Sequence, residues 1–389
     1  MSNGGSLDVV IAGCGIIGAS IAWRLAQAGR TVRCLDPAPG DGSTRAAAGM
    51  LAAVTESTFG EHEVMRLNVA SSAMWADFAA ELETETGMPT GYHPVGTLTV
   101  AFDAGDRQQL RRLLDLQQAW GLDAHAIDVA EARRREPSLG PRIAGAVWAP
   151  GDHQVNPRAV LRALHTALRL RGVEIVRHRA TRLVDHQGGA VVGVEDDTGT
   201  RHEAALVVLA AGWHSRDIAL SDPLATLPIR PVKGQVIRLD GEYQPSFHLN
   251  HVVRGFVQSR PVYVVPRADG EIVVGATSEE QPDNRLVTAG GIFALLRDAR
   301  ALVPGLDELP VTETTARARP GTPDNVPLIG RFGASGAVAA TGHYRNGILL
   351  APLTAAAVAT YCRDGVFPDS VASAAPSRFR EAAAEVVAG

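Results

Sequence analysis

The chain has 389 residues, 46% hydrophobic and 20% charged, the make-up of an ordinary folded protein rather than a disordered or fibrous one. Its formal charge of -5 is spread without long blocks of one sign, which excludes a broad electrostatic platform for nucleic acid or an anionic membrane. Cys14, Cys34 and Cys362 form no CxxC pair, and Met1–Ser6 carries no basic run, so a soluble, cytoplasmic protein of two domains is expected.

The first predicted element is the apolar run Asp8–Ala12, short and β-branched like a fully buried strand. Ile16–Ala28 then has helical spacing, with Ile17, Ile21 and Leu25 on one side; Gly29 stops it, and Thr31–Leu35 is a second buried strand. One long helical pattern is read over Glu61–Thr86 and another over Asp106–Trp120, with a strand over Val95–Phe102 between them. Arg158–Arg171 is a helix behind Pro157, and it leads to strands at Val173–Val176 and Ala205–Ala211, read as a return to the first parallel sheet. The middle of the chain changes character. Val232–Leu239, Pro261–Pro266 and Glu271–Ala276 are strands separated by turn residues such as Asp269-Gly270, which predicts a largely antiparallel sheet. Gly336–Thr341 is a further core strand, Leu349–Tyr361 an Ala-rich helix, and the stretch from Ser370 a peripheral tail or helix.

Gly13-Cys14-Gly15-Ile16-Ile17-Gly18 is GxGxxG, a weak signal alone but a mechanical one between a buried strand and a helix. Gly13 permits the tight turn, Gly15 lets a pyrophosphate approach the backbone, Gly18 lets helix and strand pack closely, and the helix N-terminus meets the phosphate charge. Asp36, at the end of the second strand, is placed to accept both ribose hydroxyls of a dinucleotide. The signature does not itself separate NAD from FAD.

Three further segments carry a resemblance: Ser43-Thr44-Arg45-Ala46-Ala47-Ala48-Gly49-Met50-Leu51, Arg319-Pro320-Gly321-Thr322-Pro323-Asp324, and Gly342-His343-Tyr344-Arg345-Asn346-Gly347-Ile348-Leu349-Leu350-Ala351-Pro352. Together they resemble the D-amino-acid oxidase and sarcosine oxidase superfamily, and most closely the glycine oxidases of thiamine biosynthesis, over nearly the whole chain to about Phe367. The resemblance implies an α/β fold: a Rossmann-type FAD-binding domain (1–90, 151–230 and 319–369) interleaved with a substrate domain on a largely antiparallel sheet (91–150 and 231–318), then a tail (370–389). It implies phosphate contacts from Ser43, Thr44 and Arg45, with Ile16 and Ile17 in the motif turn, and isoalloxazine contacts from Ala48, Gly49 and Met50. Asn346, Gly347 and Ile348 are implied at the pyrimidine edge of the flavin, Ala211-Gly212 as a second dinucleotide-side motif, and Thr181 beside the adenine.

At the substrate end the resemblance assigns the carboxylate clamp to Arg319 and a phenolic hydroxyl to Tyr263, with Arg345 and Met50 completing the catalytic set. Arginine suits the first role because its planar fork of donors matches a carboxylate in a way lysine cannot. Arg319 as a solvent-facing strand end, Arg317 as the clamp instead, and Tyr263 as a core aromatic stay open. Pro261 stands where the nearest relatives have a histidine, which removes a side-chain hydrogen bond and opens the substrate range toward sarcosine, larger D-amino acids or other secondary amines. No HExxH motif or cysteine cluster suggests a metal, and the Thr314–Arg319 approach lacks a tethering cysteine, so the FAD is expected to be non-covalent.

The expected reaction is oxidative deamination of glycine or another small amine to an imine and then an oxo acid, with molecular oxygen reduced to hydrogen peroxide. A dehydrogenase with another electron acceptor, an NAD-linked reductase and a non-catalytic FAD scaffold are the alternatives, and a homo-oligomer is left open.

Overall fold

The computed structural model describes residues 7–185, 191–220, 226–281, 284–332 and 336–379. The tail beyond Phe379 and residues 1–6 lie outside the described residues.

Two large sheets organise the chain. In the first, the strands run in the order Leu328–Phe332, Ala337–Thr341, Arg201–Leu209, Leu7–Ala12, Val32–Leu35 and Glu174–Val176, parallel except at the Leu328–Phe332 edge, and an antiparallel branch, Val191–Asp196 with Ala180–Asp185, pairs with Arg201–Leu209. Leu7–Ala12 is apolar on both faces because both are covered: Val9 and Ile11 join one core with the helices Ile16–Gln27, Pro157–Leu170 and Ala351–Asp364, while Val10 and Ala12 join another with Leu183, Val194 and Ile218. The runs expected to return to the first sheet do so.

The second sheet has the order Val311–Gly321, Arg230–Asp240, Glu271–Gly275, Arg260–Pro266, Val252–Val257, Thr97–Ala101, Gly145–Ala149 and His125–Ile127. It is antiparallel except where Val252–Val257 runs parallel to Thr97–Ala101. Alternation along its strands sends Ile237, Val253, Val264 and Val274 to a core shared with helix Ala289–Leu302, and Val236, Val252, Val265 and Val273 to the opposite face beside Ala48 and Met50. The site lies on this second face.

Sequence and structure part at several points. The single helix expected over Glu61–Thr86 is two, His62–Ser72 and Trp75–Thr86. Ser71 Oγ and Trp75 Nε1 both donate to the Leu349 carbonyl, at 2.6 and 2.9 Å, and the chain bends there, so that Val64 and Leu67 pack in one core and Trp75, Phe78 and Leu82 in another. Helix Ala289–Leu302 has no counterpart in the sequence reading, because Gly290-Gly291 at its start looks like a turn. Thr288 caps it through Gly291 N–H at 3.2 Å, and a Cβ on Gly291 would stand 2.6 Å from Gln235 Cδ, so glycine is there for close packing. The boundary expected at residue 319 falls inside the strand Val311–Gly321; the crossover to the first sheet follows Gly321. The stretch after Ser370 is not wholly peripheral: Val371 and Ala374 are buried, and Arg378 pairs with Asp324 at 2.8 Å.

Candidate active site

A cavity of about 960 Å³ opens between the two sheets, at the upper end of the range for cofactor and small-molecule sites. One wall is the expected nucleotide turn. Gly13 has φ of +101°, and a Cβ there would stand 2.7 Å from Ala211 Cα, so only glycine lets the two strand ends approach. A Cβ on Gly18 would likewise strike the Gly13 backbone. The amides of Gly15 and Ile17, at the N-terminus of helix Ile16–Gln27, have no partner among the described residues and line the cavity, whereas Ile16 N–H is capped by Thr44 Oγ1 at 3.2 Å. The carboxylate of Asp36 accepts Cys14 N–H at 2.7 Å and Ala38 N–H at 2.9 Å, which fixes it on the cavity rim with lone pairs to spare.

A second wall is the segment Ser43–Met50, a single helical turn followed by an extended pair of residues. Its small residues Ala46, Ala47, Ala48 and Gly49 face the cavity with Ser43, Thr44 and Met50, and Gly49 holds φ of +77° with Val155 and Pro157 packed against it. Thr181, Ala211, Gly212, Arg345, Asn346, Gly347 and Ile348 also line the cavity. Arg45 does not: its side chain is 47% exposed and lies 3.8 Å from Asp41 and 3.7 Å from Glu313. The expected helix after Gly347 begins at Ala351, behind a single turn at Tyr344–Asn346.

The third wall is the second sheet. Tyr263 and Arg254 occupy paired register positions on neighbouring strands, and Tyr263 is paired on its other side with Gly275. A Cβ on Gly275 would stand 2.6 Å from Tyr263 Cε2, so the phenol lies across that glycine. Burial pushes the Tyr263 hydroxyl above its ordinary range, so it is a neutral donor at physiological pH. Arg319 lies in the same way across Gly234, its Nη1 donating to the Thr277 carbonyl at 3.1 Å. Arg317 is occupied elsewhere, donating to Asp41 Oδ1 at 2.6 Å and to the Asp41 carbonyl at 2.7 Å.

Charge is distributed unevenly in this wall. Glu56 accepts from Arg254 Nη1 and, at 3.1 Å, pairs with Arg345 Nε; Arg345 Nη2 pairs with Glu61 at 2.5 Å. Burial alone would raise the Glu56 carboxyl, but the Arg254 and Arg345 guanidiniums outweigh it and hold it below the usual carboxylate range. Arg319 forms no ion pair with a carboxylate among the described residues. Beneath Glu56, the fully buried Asp152 accepts Val54 N–H at 2.9 Å, Thr55 N–H at 2.6 Å and Thr55 Oγ1 at 2.7 Å, fixing the turn that presents Glu56; burial pushes Asp152 up to about 6. His343, in the motif run Gly342–Pro352, is buried against Thr354 Oγ1 at 2.9 Å, and its burial lowers it to about 3, so it is neutral. Sequence reasoning missed Glu56, Arg254 and Asp152, which sit in no motif, and missed Gly234 and Gly275, whose neighbours come from other strands.

A glycine-lined turn with free amides, an acidic side chain after the second strand and a wall of small residues suit a dinucleotide. The family profile described as "DAO: FAD dependent oxidoreductase" matches residues 8–361. The chain belongs to this family. It is 36% identical over 359 residues to a "Bifunctional protein ThiO/ThiG" of Trichormus variabilis, a match covering 91% of this chain and 52% of that protein, so the chain spans about half the length of the first curated relatives it matches. It is 32% identical over 359 residues to a "Glycine oxidase" of Bacillus licheniformis, covering 89% of this chain and 90% of the other. The crystal structure of glycine oxidase from Geobacillus kaustophilus superposes with a TM-score of 0.86 at 29% identity, covering 95% of this chain and 98% of that one. FAD is the cofactor, as in this family, and none of the three cysteines lines the cavity to tether it. Among the described residues no helix is long and apolar enough to cross a membrane, and no group of His, Cys, Asp or Glu is placed to hold a metal ion.

Proposed function

We propose that the chain catalyses the oxidative deamination of glycine, sarcosine or a similarly small amino acid with one carboxylate. The observation that carries the reading is the Arg319 guanidinium, which forms no ion pair with a carboxylate among the described residues, while Arg254 and Arg345 on the same side of the cavity are matched by Glu56 and Glu61. A guanidinium without a paired carboxylate calls for an anion, and a substrate carboxylate supplies it as a two-pronged acceptor. The curated relatives named glycine oxidase support the same reading.

In this proposal Gly15, Ile17, Ser43 and Thr44 hold the diphosphate, Asp36 the ribose, Thr181, Ala211 and Gly212 the adenine side, and Ala48, Gly49, Met50, Asn346, Gly347 and Ile348 the ring. When bound, FAD would supply the redox chemistry, taking a hydride with its two electrons from the substrate's Cα–H bond as a carbon–nitrogen double bond forms, and passing the electrons to oxygen. Arg319 fixes the carboxylate, and Tyr263, neutral and lying beside it, donates to the same group. The three walls exclude water and align the reacting carbon, which is the protein's share of the catalysis. The imine then hydrolyses; for glycine the products are glyoxylate, ammonia and hydrogen peroxide. Oxygen as acceptor, a homo-oligomeric state and a cytoplasmic setting belong to the same proposal.

Anaerobic mixing of the purified yellow protein with glycine, sarcosine, D-alanine, D-proline and larger D-amino acids is the test. Bleaching by the small monocarboxylates, with oxygen uptake and peroxide release in air, is expected. Bleaching only by a bulky D-amino acid overturns the small-substrate assignment, and bleaching without oxygen uptake replaces the oxidase by a dehydrogenase. The flavin should separate fully from the polypeptide on acid denaturation.

A further inference from the structure

The segment that forms the second cavity wall is held from behind by three arginines, none of which lines the cavity. Arg158 Nε donates to the Arg45 carbonyl at 3.1 Å and Arg238 Nη2 to the same carbonyl at 3.4 Å. Arg267 donates to the Ala48 carbonyl, to the Val155 carbonyl at 2.6 Å and to Gln154 Oε1 at 3.0 Å. Arg158 is compensated by Glu313 at 2.7 Å and Arg238 by Glu271. Arg267 is different. It is 8% exposed, its acceptors are neutral amides, and it forms no ion pair with a carboxylate among the described residues.

We propose that Arg267 is a positioning residue for the flavin: it turns the Ala48–Gly49 peptide so that its N–H is presented to the cavity, and it places behind that wall a positive charge with no directly paired carboxylate, which favours the reduced over the oxidised cofactor. The inference rests on the FAD-binding part of the function proposed above. In a trans peptide the carbonyl and the N–H point to opposite sides, so a carbonyl fixed on Arg267, outside the cavity, aims the Gly49 N–H the other way. That N–H has no acceptor among the described residues, and Ala48 and Gly49 both line the cavity. Gly49 cannot relax by becoming another residue, because φ is +77° and a Cβ would stand 2.6 Å from Pro157 Cδ. Burial and the neighbouring Arg238 lower Arg267 to about 10, against the opposing pull of the Glu271 and Asp269 carboxylates, which leaves it a cation at neutral pH. A two-electron-reduced flavin carries more negative charge than the oxidised one, and a fixed cation in a poorly solvated wall stabilises that difference without reorganising.

The test compares the reduction potential of the bound flavin, measured against reference dyes, in the wild type and three variants. Arg267→Gln keeps a donor but no charge. Gln154→Glu leaves Arg267 in place and gives it a carboxylate partner of nearly unchanged shape, so it tests the charge even where Arg267→Gln does not fold. Arg267→Lys keeps the charge and loses the fork. For Gln154→Glu and Arg267→Gln the preference for reduced over oxidised flavin should fall at least tenfold, about 30 mV for a two-electron couple. Arg267→Lys should stay within threefold of the wild type. Gln154→Glu that holds one FAD per chain at an unchanged potential overturns the proposal, as does a lysine variant that falls as far as the glutamine one. A brace with only a structural role moves melting temperature and FAD affinity but not the potential. Because the measurement uses no amine, a shifted potential in a protein that no amine reduces upholds the role of Arg267 and sinks the proposed substrate chemistry.

Discussion

Arg319 lies across Gly234 on the neighbouring strand, its guanidinium carbon 2.6 Å from where a Cβ would stand. The absent side chain is therefore what allows the arginine to lie down against the sheet and point its donors along the cavity floor. Gly234→Ala should push the guanidinium off this position while leaving the nucleotide turn untouched. We expect unchanged FAD content and a fall of about 100-fold in kcat/KM on carboxylate substrates, the scale of a displacement near 1 Å at a reacting centre. Steady-state kinetics beside a flavin-to-protein absorbance ratio checks this, and near-normal turnover contradicts it.

Arg319→Met keeps length and apolar bulk but removes the donors. Loss of a charge-assisted contact that also aligns the substrate should cost about 2–5 kcal/mol in transition-state stabilisation, roughly a 30- to 4000-fold fall in kcat/KM. An amine without a carboxylate should lose far less. Equal losses on both substrates would falsify the clamp.

Glu56 carries the charge balance of the inner cavity, because Arg254 and Arg345 both pair with it. Glu56→Gln leaves those two guanidiniums with Glu61 alone, so the cavity gains one net positive charge. Dicarboxylate inhibitors should then bind at least tenfold more tightly, about 1.4 kcal/mol, relative to monocarboxylates of the same length. Equal changes for the two inhibitor classes, in a titration of the flavin absorbance, would show that Glu56 does not set this balance.

Asp152 supplies a prediction with a defined sign. Burial raises it from 3.8 to about 6, so between those values the folded chain binds more protons than the unfolded one. Stability therefore falls as pH rises through this window, and ionised Asp152 costs about 3 kcal/mol above it, a cost that disappears as pH drops toward the unfolded value. Asp152→Asn cannot ionise. The variant-minus-wild-type difference in unfolding free energy should rise between pH ~4 and ~6 and level off above, and denaturant titrations showing a flat difference would refute the assignment.

Much of this molecule is legible in its sequence because the relevant information is local. The run Asp8–Ala12, the turn Gly13–Gly18, the following helix and Asp36 lie within one supersecondary unit, and periodicity plus glycine stereochemistry determine it. The motif at Gly342–Pro352 is likewise contiguous, and its residues His343–Ile348 line the cavity. Arg45 shows where contiguity misleads: it sits in the motif, but its side chain leaves the cavity for Asp41 and Glu313. What only the tertiary structure decided is which charges meet. Glu56 finds Arg254 and Arg345, Asp152 holds the turn at Thr55, Arg267 reaches Ala48, and Arg319 rests on Gly234, all partners far apart in sequence. A local pattern encodes which residues can form a strand or a helix. It does not encode which strand becomes its neighbour, and a charged side chain's role depends on whether folding brings it a counter-ion or leaves it unpaired in a cavity that a ligand must fill.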